Sequence, residues 1–160
     1  MKAYAVMKYA SPVGLLTLAG EGEHIVGLWL EGQKYFGAGL RLSGEEAVPA
    51  FDAAKDWLDR YFAGERPDPS ELDLAPVGTV FQRAVWKRLC EIPYGELTTY
   101  GELAGRMQTS ARAVGSAVGR NPISIIVPCH RVVGASGGLT GYAGGVERKG
   151  WLLKHEGIMK

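Results

Sequence analysis

A cysteine, a histidine and an arginine stand side by side in the segment PCHR, residues 128–131, directly after the apolar run 123–127. Cysteine attacks as the thiolate, and its pKa falls when a histidine or arginine lies close, so these residue types could form an activated nucleophile. Adjacent side chains diverge in regular structure, so His130 would need a bridging water to take the thiol proton from Cys129. It would also need a carboxylate to orient its other ring nitrogen. Glu156 is the best candidate for that third group.

The same residues also have simpler interpretations. An isolated cysteine is usually a small buried hydrophobe. His155 and Glu156 could simply end the helix predicted over 146–157, with Gly157 as its cap. Cys90 lies among apolar neighbours and is interpreted as a packing residue. The cysteines lie far apart and no histidine pair has the spacing of a helical metal motif, so neither a disulfide framework nor a metal site is expected.

Helices must position this segment, and three are predicted before it. The first carries Phe81, Val85, Trp86 and Leu89 on one face and should end before Pro93.

The other two predicted helices form a pair. Thr99 followed by Glu102 predicts a capping box for a helix that starts near Tyr100. Thr109 or Ser110 can cap the next helix, which runs toward residues 121–122. Two short helices joined by a tight connection indicate a helix-turn-helix.

The last of these helices, ARAVGSAVG, has almost no side chains with which to read bases. Arg112 is its one long polar residue before Arg120. Small residues permit close approach to a DNA backbone, which favours binding with little sequence preference. A small-residue helix packed in a core fits this composition about equally well. The run ISIIV that follows, residues 123–127, is predicted as a buried strand.

The N-terminal part has a different pattern. Short apolar runs at 4–9, 14–20 and 24–30 predict a small antiparallel sheet, and apolar residues at helical spacing from Pro49 to Gly64 predict a helix on it. The Pro-rich stretch 64–78 suits a surface connection. We therefore expect an α+β fold with domains at 1–77 and 78–160, the second mainly helical and containing the helix-turn-helix and the active-site cysteine.

The two predicted domains also differ in net charge. Residues 1–77 hold 7 Lys and Arg against 12 Asp and Glu, a net charge of −5, and the remainder holds 11 against 5, a net charge of +6. A basic second half fits a polyanion such as nucleic acid, although many charge runs are only solvated faces. No stretch has the length and apolarity of a membrane span or secretory signal, so a cytoplasmic protein without membrane contact is expected.

The second part of the chain resembles the O6-alkylguanine-DNA alkyltransferases. The resemblance rests on FQRAVWKRL, IPYGELTTYGELA, ARAVG, NPISIIVPCHRVVG, GYAGG and WLLKHEG, in the order and spacing of that family. The first part, with YFGAGL, resembles the family's variable N-terminal domain more loosely. The closest similarity is to the constitutive single-chain bacterial type.

The resemblance implies a single-use DNA repair reaction. Cys129 would accept the alkyl group from O6-alkylguanine in flipped-out DNA, His130 would act as the base through water, and Glu156 would orient His130. Tyr100 would help expel the base and protonate guanine. Arg112 would fill the vacated stack through the minor groove. O4-alkylthymine is a second candidate substrate.

Further residues follow from the same resemblance. Other expected DNA-binding residues are Ala111, Ala113, Gly115 and Arg120. Expected pocket residues are Val118, Asn121, Val132, Tyr142 and Ala143. The implied partner is double-stranded DNA carrying the lesion, bound by a monomer, with cooperative binding left open. No cofactor is implied.

Two departures from the family pattern bear on the pocket and on metal. Some members bind zinc through cysteines and histidines of the N-terminal lobe, but this lobe has no cysteine. Ser124 replaces a second proline that some members have, and small residues follow Tyr142. These features suggest a roomy pocket that accepts benzylated guanine as well as methylated guanine.

Two other functions are compatible with parts of the sequence. A protein that marks alkylated DNA without repairing it would lack the acceptor cysteine. A cysteine hydrolase using Cys129 and His130 would turn over repeatedly and would need an oxyanion hole, which the sequence does not reveal.

Overall fold

The computed structural model describes residues 3–135, 142 and 145–158, and the chain divides into two compact units. The first unit contains residues 1–77 together with 122–124, and the second contains 78–121 and 125–160. The chain therefore leaves the second unit for three residues and then returns to it.

The first unit is built on a four-stranded sheet. Its strands are β1 (Ala3–Ser11), β2 (Gly14–Glu21), β3 (His24–Leu30) and β4 (Arg41–Glu45), in the order β3-β2-β1-β4. The antiparallel pairing predicted for the first three strands is confirmed. The fourth strand was not predicted, and it lies parallel to β1, which makes the sheet mixed.

One long helix packs on this sheet. Helix α1 (Pro49–Phe62) confirms the predicted helix, with proline in its first turn and Gly64 beyond its end at φ 93°. Its buried residues recur at helical spacing and contact β1, β2 and β3. They are Ala50, Phe51, Ala54, Trp57, Leu58 and Tyr61.

The second unit is mainly helical. Its elements are α2 (Val80–Leu89), β5 (Thr98–Thr99), α3 (Tyr100–Met107), α4 (Ala111–Gly119), β6 (Val132–Val133) and α5 (Val146–His155). The two short strands pair in parallel, so Thr98 lies opposite Val132 just beyond the cysteine segment. No helix in the part of the chain that the structure describes is long and apolar enough to cross a membrane.

Side-chain caps set the starts of the predicted helices. Thr99 accepts from the Glu102 amide at 3.1 Å and Ser110 accepts from the Ala113 amide at 3.1 Å, which separates α3 from α4. The predicted capping box at Thr99 is only half formed. The Glu102 carboxylate instead accepts from the Thr98 hydroxyl at 3.2 Å.

Two other details differ from the predictions. Phe81 is 38% exposed, since it lies one turn before the buried set of α2 begins. Residues 123–127 are all buried, as an apolar run requires, but they form turns with one isolated bridge instead of a strand. Ile125 has φ 71°, and a residue in the left-handed region cannot continue a strand.

Candidate active site

Cys129 lies at the start of a single 3₁₀ turn, Cys129–Arg131, directly after Pro128. Its side chain is buried, and burial raises the pKa of the thiol to about 11. A hydrogen bond from the Asn121 side chain and the positive charge of Lys149 act in the opposite direction, because both stabilise the thiolate. In the resting protein burial is the larger effect, so Cys129 is a neutral thiol at pH 7.

His130 and Glu156 form a fully buried pair. His130 Nε2 lies 2.6 Å from Glu156 Oε2, and neither side chain is exposed. Burial would raise the pKa of Glu156, but its bonds to His130 and Arg131 outweigh that effect and hold the pKa far below its ordinary value. The carboxylate is therefore ionised and can only accept hydrogen bonds, so Nε2 of His130 must carry a hydrogen.

The other nitrogen of His130 is then free to act as a base. Burial lowers the pKa of His130, so the ring is neutral at pH 7 and Nδ1 holds a lone pair. Nδ1 is buried and has no hydrogen-bond partner among the described residues. This arrangement, in which a carboxylate fixes the tautomer and leaves the opposite nitrogen bare, is the one that proton abstraction requires.

Arg131 binds the same carboxylate from the other side. Its Nε donates to Glu156 Oε1 at 2.8 Å and its Nη2 to Glu156 Oε2 at 3.2 Å. Its Nη1 donates to the Ile92 carbonyl at 2.7 Å, and its guanidinium lies 5.6 Å from the ring centre of Tyr94. The Gly95 amide also donates to Glu156, at 3.3 Å. Arg131 thus holds Glu156 ionised and ties it to the loop that precedes β5.

Lys149 lies on the inner face of α5 and has no exposed surface. Its Nζ donates to the Val132 carbonyl at 2.6 Å, and its charge interacts with the Cys129 sulfur. Burial lowers the pKa of Lys149, and the negative charge of a Cys129 thiolate would raise it again. The ammonium group therefore stabilises the thiolate form of Cys129.

Tyr100 and Asn121 also reach the neighbourhood of the cysteine. Tyr100 is half-buried at the start of α3, where burial and the Cys129 charge raise its pKa and keep it protonated. Asn121 is buried after α4, and its Nδ2 donates to the Val127 carbonyl at 2.9 Å. The structure thus gathers Tyr100, Asn121, His130 and Glu156 around Cys129 or its partners.

The remaining predicted residues lie along α4 or further on. Arg112, Arg120 and Ala111 are exposed, Ala113 and Gly115 are half-buried, and Val118, Val132 and Tyr142 are buried. Helix α4 is anchored by Trp86, whose Nε1 donates to the Ala117 carbonyl at 2.8 Å. Ala143, predicted for the pocket, is outside the described residues.

Ser124 does not support the expectation of a roomy pocket. It is 1% exposed, belongs to the first unit, and donates from Oγ to Gln33 Oε1 at 3.3 Å. Its small side chain therefore fills a packed position instead of leaving open space. The other part of that expectation lies at residues 143–144, outside the described residues.

Comparison with known proteins covers both units. The family description "6-O-methylguanine DNA methyltransferase, DNA binding domain" matches residues 80–158, and the "ribonuclease-like domain" of the same family matches residues 4–76. The chain belongs to the O6-methylguanine-DNA methyltransferase family. The predicted α+β fold, with a sheet and helix followed by a mainly helical part, is confirmed by solved structures of this family.

Individual members of the O6-methylguanine-DNA methyltransferase family are similar over almost the whole chain. A methylated-DNA--protein-cysteine methyltransferase of Haemophilus influenzae is 45% identical over 160 residues, 99% of this chain and 89% of that protein. The protein of the same name from Mycobacterium tuberculosis is 51% identical over 149 residues, 91% of this chain and 88% of that protein. The Mycobacterium tuberculosis OGT solved in complex with DNA has a TM-score of 0.82 and 45% identity, covering 99% of this chain and 95% of that one.

Sequence reasoning missed two residues that this methyltransferase site uses. Arg131 is visible in the sequence only as a cation near the thiol, because its carboxylate partner Glu156 stands at the end of α5. Lys149 is not apparent as a site residue because lysine is rarely buried. A signal for it exists, since Lys149 shares the inner-face spacing i, i+3, i+4, i+7 with Leu152, Leu153 and Glu156. Among the described residues, no group of three or more histidine, cysteine, aspartate and glutamate side chains could hold a metal ion.

Replacing Lys149 should make Cys129 less reactive. Lys149→Met removes the charge that stabilises the thiolate, so the thiol pKa rises and labelling of Cys129 by iodoacetamide at pH 7 slows by roughly tenfold per pKa unit. The rate is measured by mass spectrometry of the Cys129 peptide. Lys154→Met, at an exposed position of the same helix, is the matched control and should label like the unmodified protein. Equal rates for both variants would contradict this role for Lys149.

Proposed function

We propose that this chain repairs DNA by transferring the alkyl group of O6-alkylguanine directly to Cys129, once per molecule and irreversibly. The observation that carries the proposal is the buried His130–Glu156 pair in a member of the methyltransferase family, in which the residue next to Cys129 in the sequence has a bare Nδ1. The names of similar proteins, methylated-DNA--protein-cysteine methyltransferases, support the same reaction.

Proton transfer begins the proposed reaction. The thiol proton of Cys129 passes through a water molecule to Nδ1 of His130, and Glu156 stabilises the imidazolium that forms. Lys149 and Asn121 stabilise the thiolate. These contacts act against the burial that keeps Cys129 protonated at rest, and the proton transfer to His130 completes the activation.

The thiolate then attacks the alkyl carbon. A carbon–sulfur bond forms, the carbon–oxygen bond to O6 breaks, and the bonding electrons leave with guanine. Tyr100, which its raised pKa keeps protonated, supplies a proton to the guanine ring. The product at Cys129 is a thioether, which water does not hydrolyse, so each molecule reacts once and needs no cofactor.

The helix-turn-helix would bind the DNA and bring the damaged base to the active site. We assign Arg112, exposed on α4, to the stack that the flipped nucleotide vacates, and Arg120 to the DNA backbone. Ala111, Ala113 and Gly115 let α4 approach the DNA closely. Phosphate contacts would supply most of the affinity, so binding should weaken with salt.

The flipped base needs a pocket. We assign its walls to Val118, Asn121, Val132, Tyr142 and Ala143. The Val132 carbonyl accepts from Lys149, which fixes its direction.

Several finer features belong to the same proposal. Residues 78–160 would be the DNA-binding and alkyl-acceptor domain, and 1–77 the N-terminal α/β domain. O4-alkylthymine would be a second substrate. The protein would act as a monomer that can bind DNA cooperatively. It would work in the cytoplasm, where a bacterial chromosome lies.

Intact-mass measurement tests the reaction directly. After mixing with duplex DNA carrying O6-methylguanine, each chain should gain one methyl group, and Cys129→Ala should gain none. A protein that only marks the lesion would bind the duplex without a change in mass. A hydrolase would remove the methyl group from excess DNA repeatedly while its own mass stays the same.

Arg112→Ala should slow repair in duplex DNA far more than transfer from free O6-benzylguanine base, because only the duplex requires base flipping. Both rates are followed by protein mass in single-turnover mixtures. Lys87→Ala, an exposed cation of α2, removes the same charge and should leave both rates nearly unchanged. If Arg112→Ala slowed the two substrates equally, Arg112 would not be a flipping residue.

Glu156→Gln should slow alkyl transfer by roughly 10²- to 10⁴-fold, because an amide neither fixes the tautomer of His130 nor stabilises its protonated form. Affinity for methylated duplex, measured by fluorescence anisotropy, should stay within about twofold. The substitution also leaves Arg131 without its counter-charge, so circular dichroism must accompany the rates. A large loss of DNA affinity in a folded variant would assign Glu156 to structure instead.

A further inference from the structure

The first unit holds three residues of the segment that leads to Cys129. Leu28 in β3 donates from its amide to the Pro122 carbonyl at 2.8 Å, and the Ser124 amide donates to the Leu28 carbonyl at 2.9 Å. Ile123 forms a parallel bridge with Leu28. Residues 122–124 thus pair with the outer edge of β3 as a very short added strand.

Gln33 fastens this short strand from the turn after β3. It is 7% exposed, and its Oε1 accepts both from the Leu30 amide at 2.7 Å and from the Ser124 hydroxyl at 3.3 Å. Its Nε2 donates to the Lys34 carbonyl at 3.2 Å. All polar atoms of the side chain are therefore engaged, which explains a buried glutamine in this place.

Both ends of the fastened segment lead to the active site. Asn121, directly before it, hydrogen-bonds to the Cys129 sulfur and to the Val127 carbonyl. Ile125, directly after it, is 1% exposed and has φ 71°. A β-branched residue persists in the left-handed region only when contacts on both sides fix it. Here those contacts are the pairing of residues 122–124 with β3 and the bond between Asn121 and Val127.

We propose that Gln33 is a positioning residue for the nucleophile. With the Leu28 backbone it forms a clasp on residues 122–124 that holds Asn121 against Cys129 and Ile125 in its left-handed conformation. Gln33 would thereby influence the reaction through the chain segment 122–124. This inference rests on the proposed alkyl transfer to Cys129.

The clasp differs from the groups that act on the thiol through charge. The charged group that acts on the Cys129 thiol is Lys149 from α5, and Gln33 adds no charge to it. Loss of the clasp should therefore misplace the nucleophile and loosen its hydrogen bond from Asn121, while Lys149 continues to stabilise the thiolate. Misplacement by about 1 Å can cost roughly a hundredfold in rate.

Gln33→Met tests the clasp, because methionine keeps the length of the side chain and lacks the acceptor oxygen. At saturating O6-methylguanine duplex, its single-turnover transfer rate should fall by about tenfold or more. The DNA concentration for half-saturation should stay within about twofold. Labelling of Cys129 by iodoacetamide should slow much less than transfer, because the Lys149 charge still stabilises the thiolate. Gln33→Glu keeps both acceptor contacts but loses the donation to the Lys34 carbonyl, so its transfer rate should lie between those of the unmodified protein and Gln33→Met.

Leu58→Ala is the control for stability, since it opens the buried face of α1 in the same unit without touching the clasp. Rates are compared at a temperature at which all variants are folded. If Gln33→Met transferred no more slowly than Leu58→Ala, or lost labelling in step with transfer, the clasp would be overturned. An unmodified protein that is labelled at Cys129 but takes no methyl group from DNA would overturn the proposed function itself.

Discussion

The ionised carboxylate of Glu156 is the buried charge around which the second unit is organised. An unpaired charge in such a place would cost several kcal/mol. Here Arg131 binds both carboxylate oxygens, His130 approaches one of them to 2.6 Å, and the Gly95 amide donates to the other. These partners come from the turn that begins at Cys129 and from the loop before β5, whereas Glu156 itself ends α5. The hydrogen bonds to the Glu156 carboxylate therefore hold three separate stretches of chain together. They also fix the orientation of the His130 ring.

The cysteine lies in a balance between burial and stabilisation of its charge. Burial is the larger effect, since the thiol pKa is raised to about 11 despite the contacts of Asn121 and Lys149. Activation therefore requires a base, and His130 is suited to that role because its own pKa is lowered and its tautomer is set by Glu156. The electrostatics of the site thus fit a nucleophile that is generated only when a proton can move.

Much of this arrangement could be predicted from residue patterns. Three strands, α1 and the helices of the second unit follow from apolar spacing and caps, and the Cys129, His130 and Glu156 grouping follows from residue types. Strand β4 could not be predicted, because RLSGE has a single apolar residue and therefore shows no strand pattern. The strand forms by pairing with the edge of β1. The apolar run 123–127 predicts a strand because burial is visible in the sequence, whereas the left-handed turn at Ile125 depends on contacts distant along the chain.

Electrophiles and oxidants in solution attack thiolates and hardly attack thiols. A Cys129 that is 5% exposed and protonated at rest is therefore protected from random chemical damage. A protein that can react only once is lost if its cysteine is modified by another chemical. Such protection therefore determines how many of its molecules still have an unmodified Cys129 when a DNA lesion arises. The same burial that makes Cys129 a slow nucleophile in the absence of a base thus prolongs the time for which an unreacted molecule remains able to repair DNA.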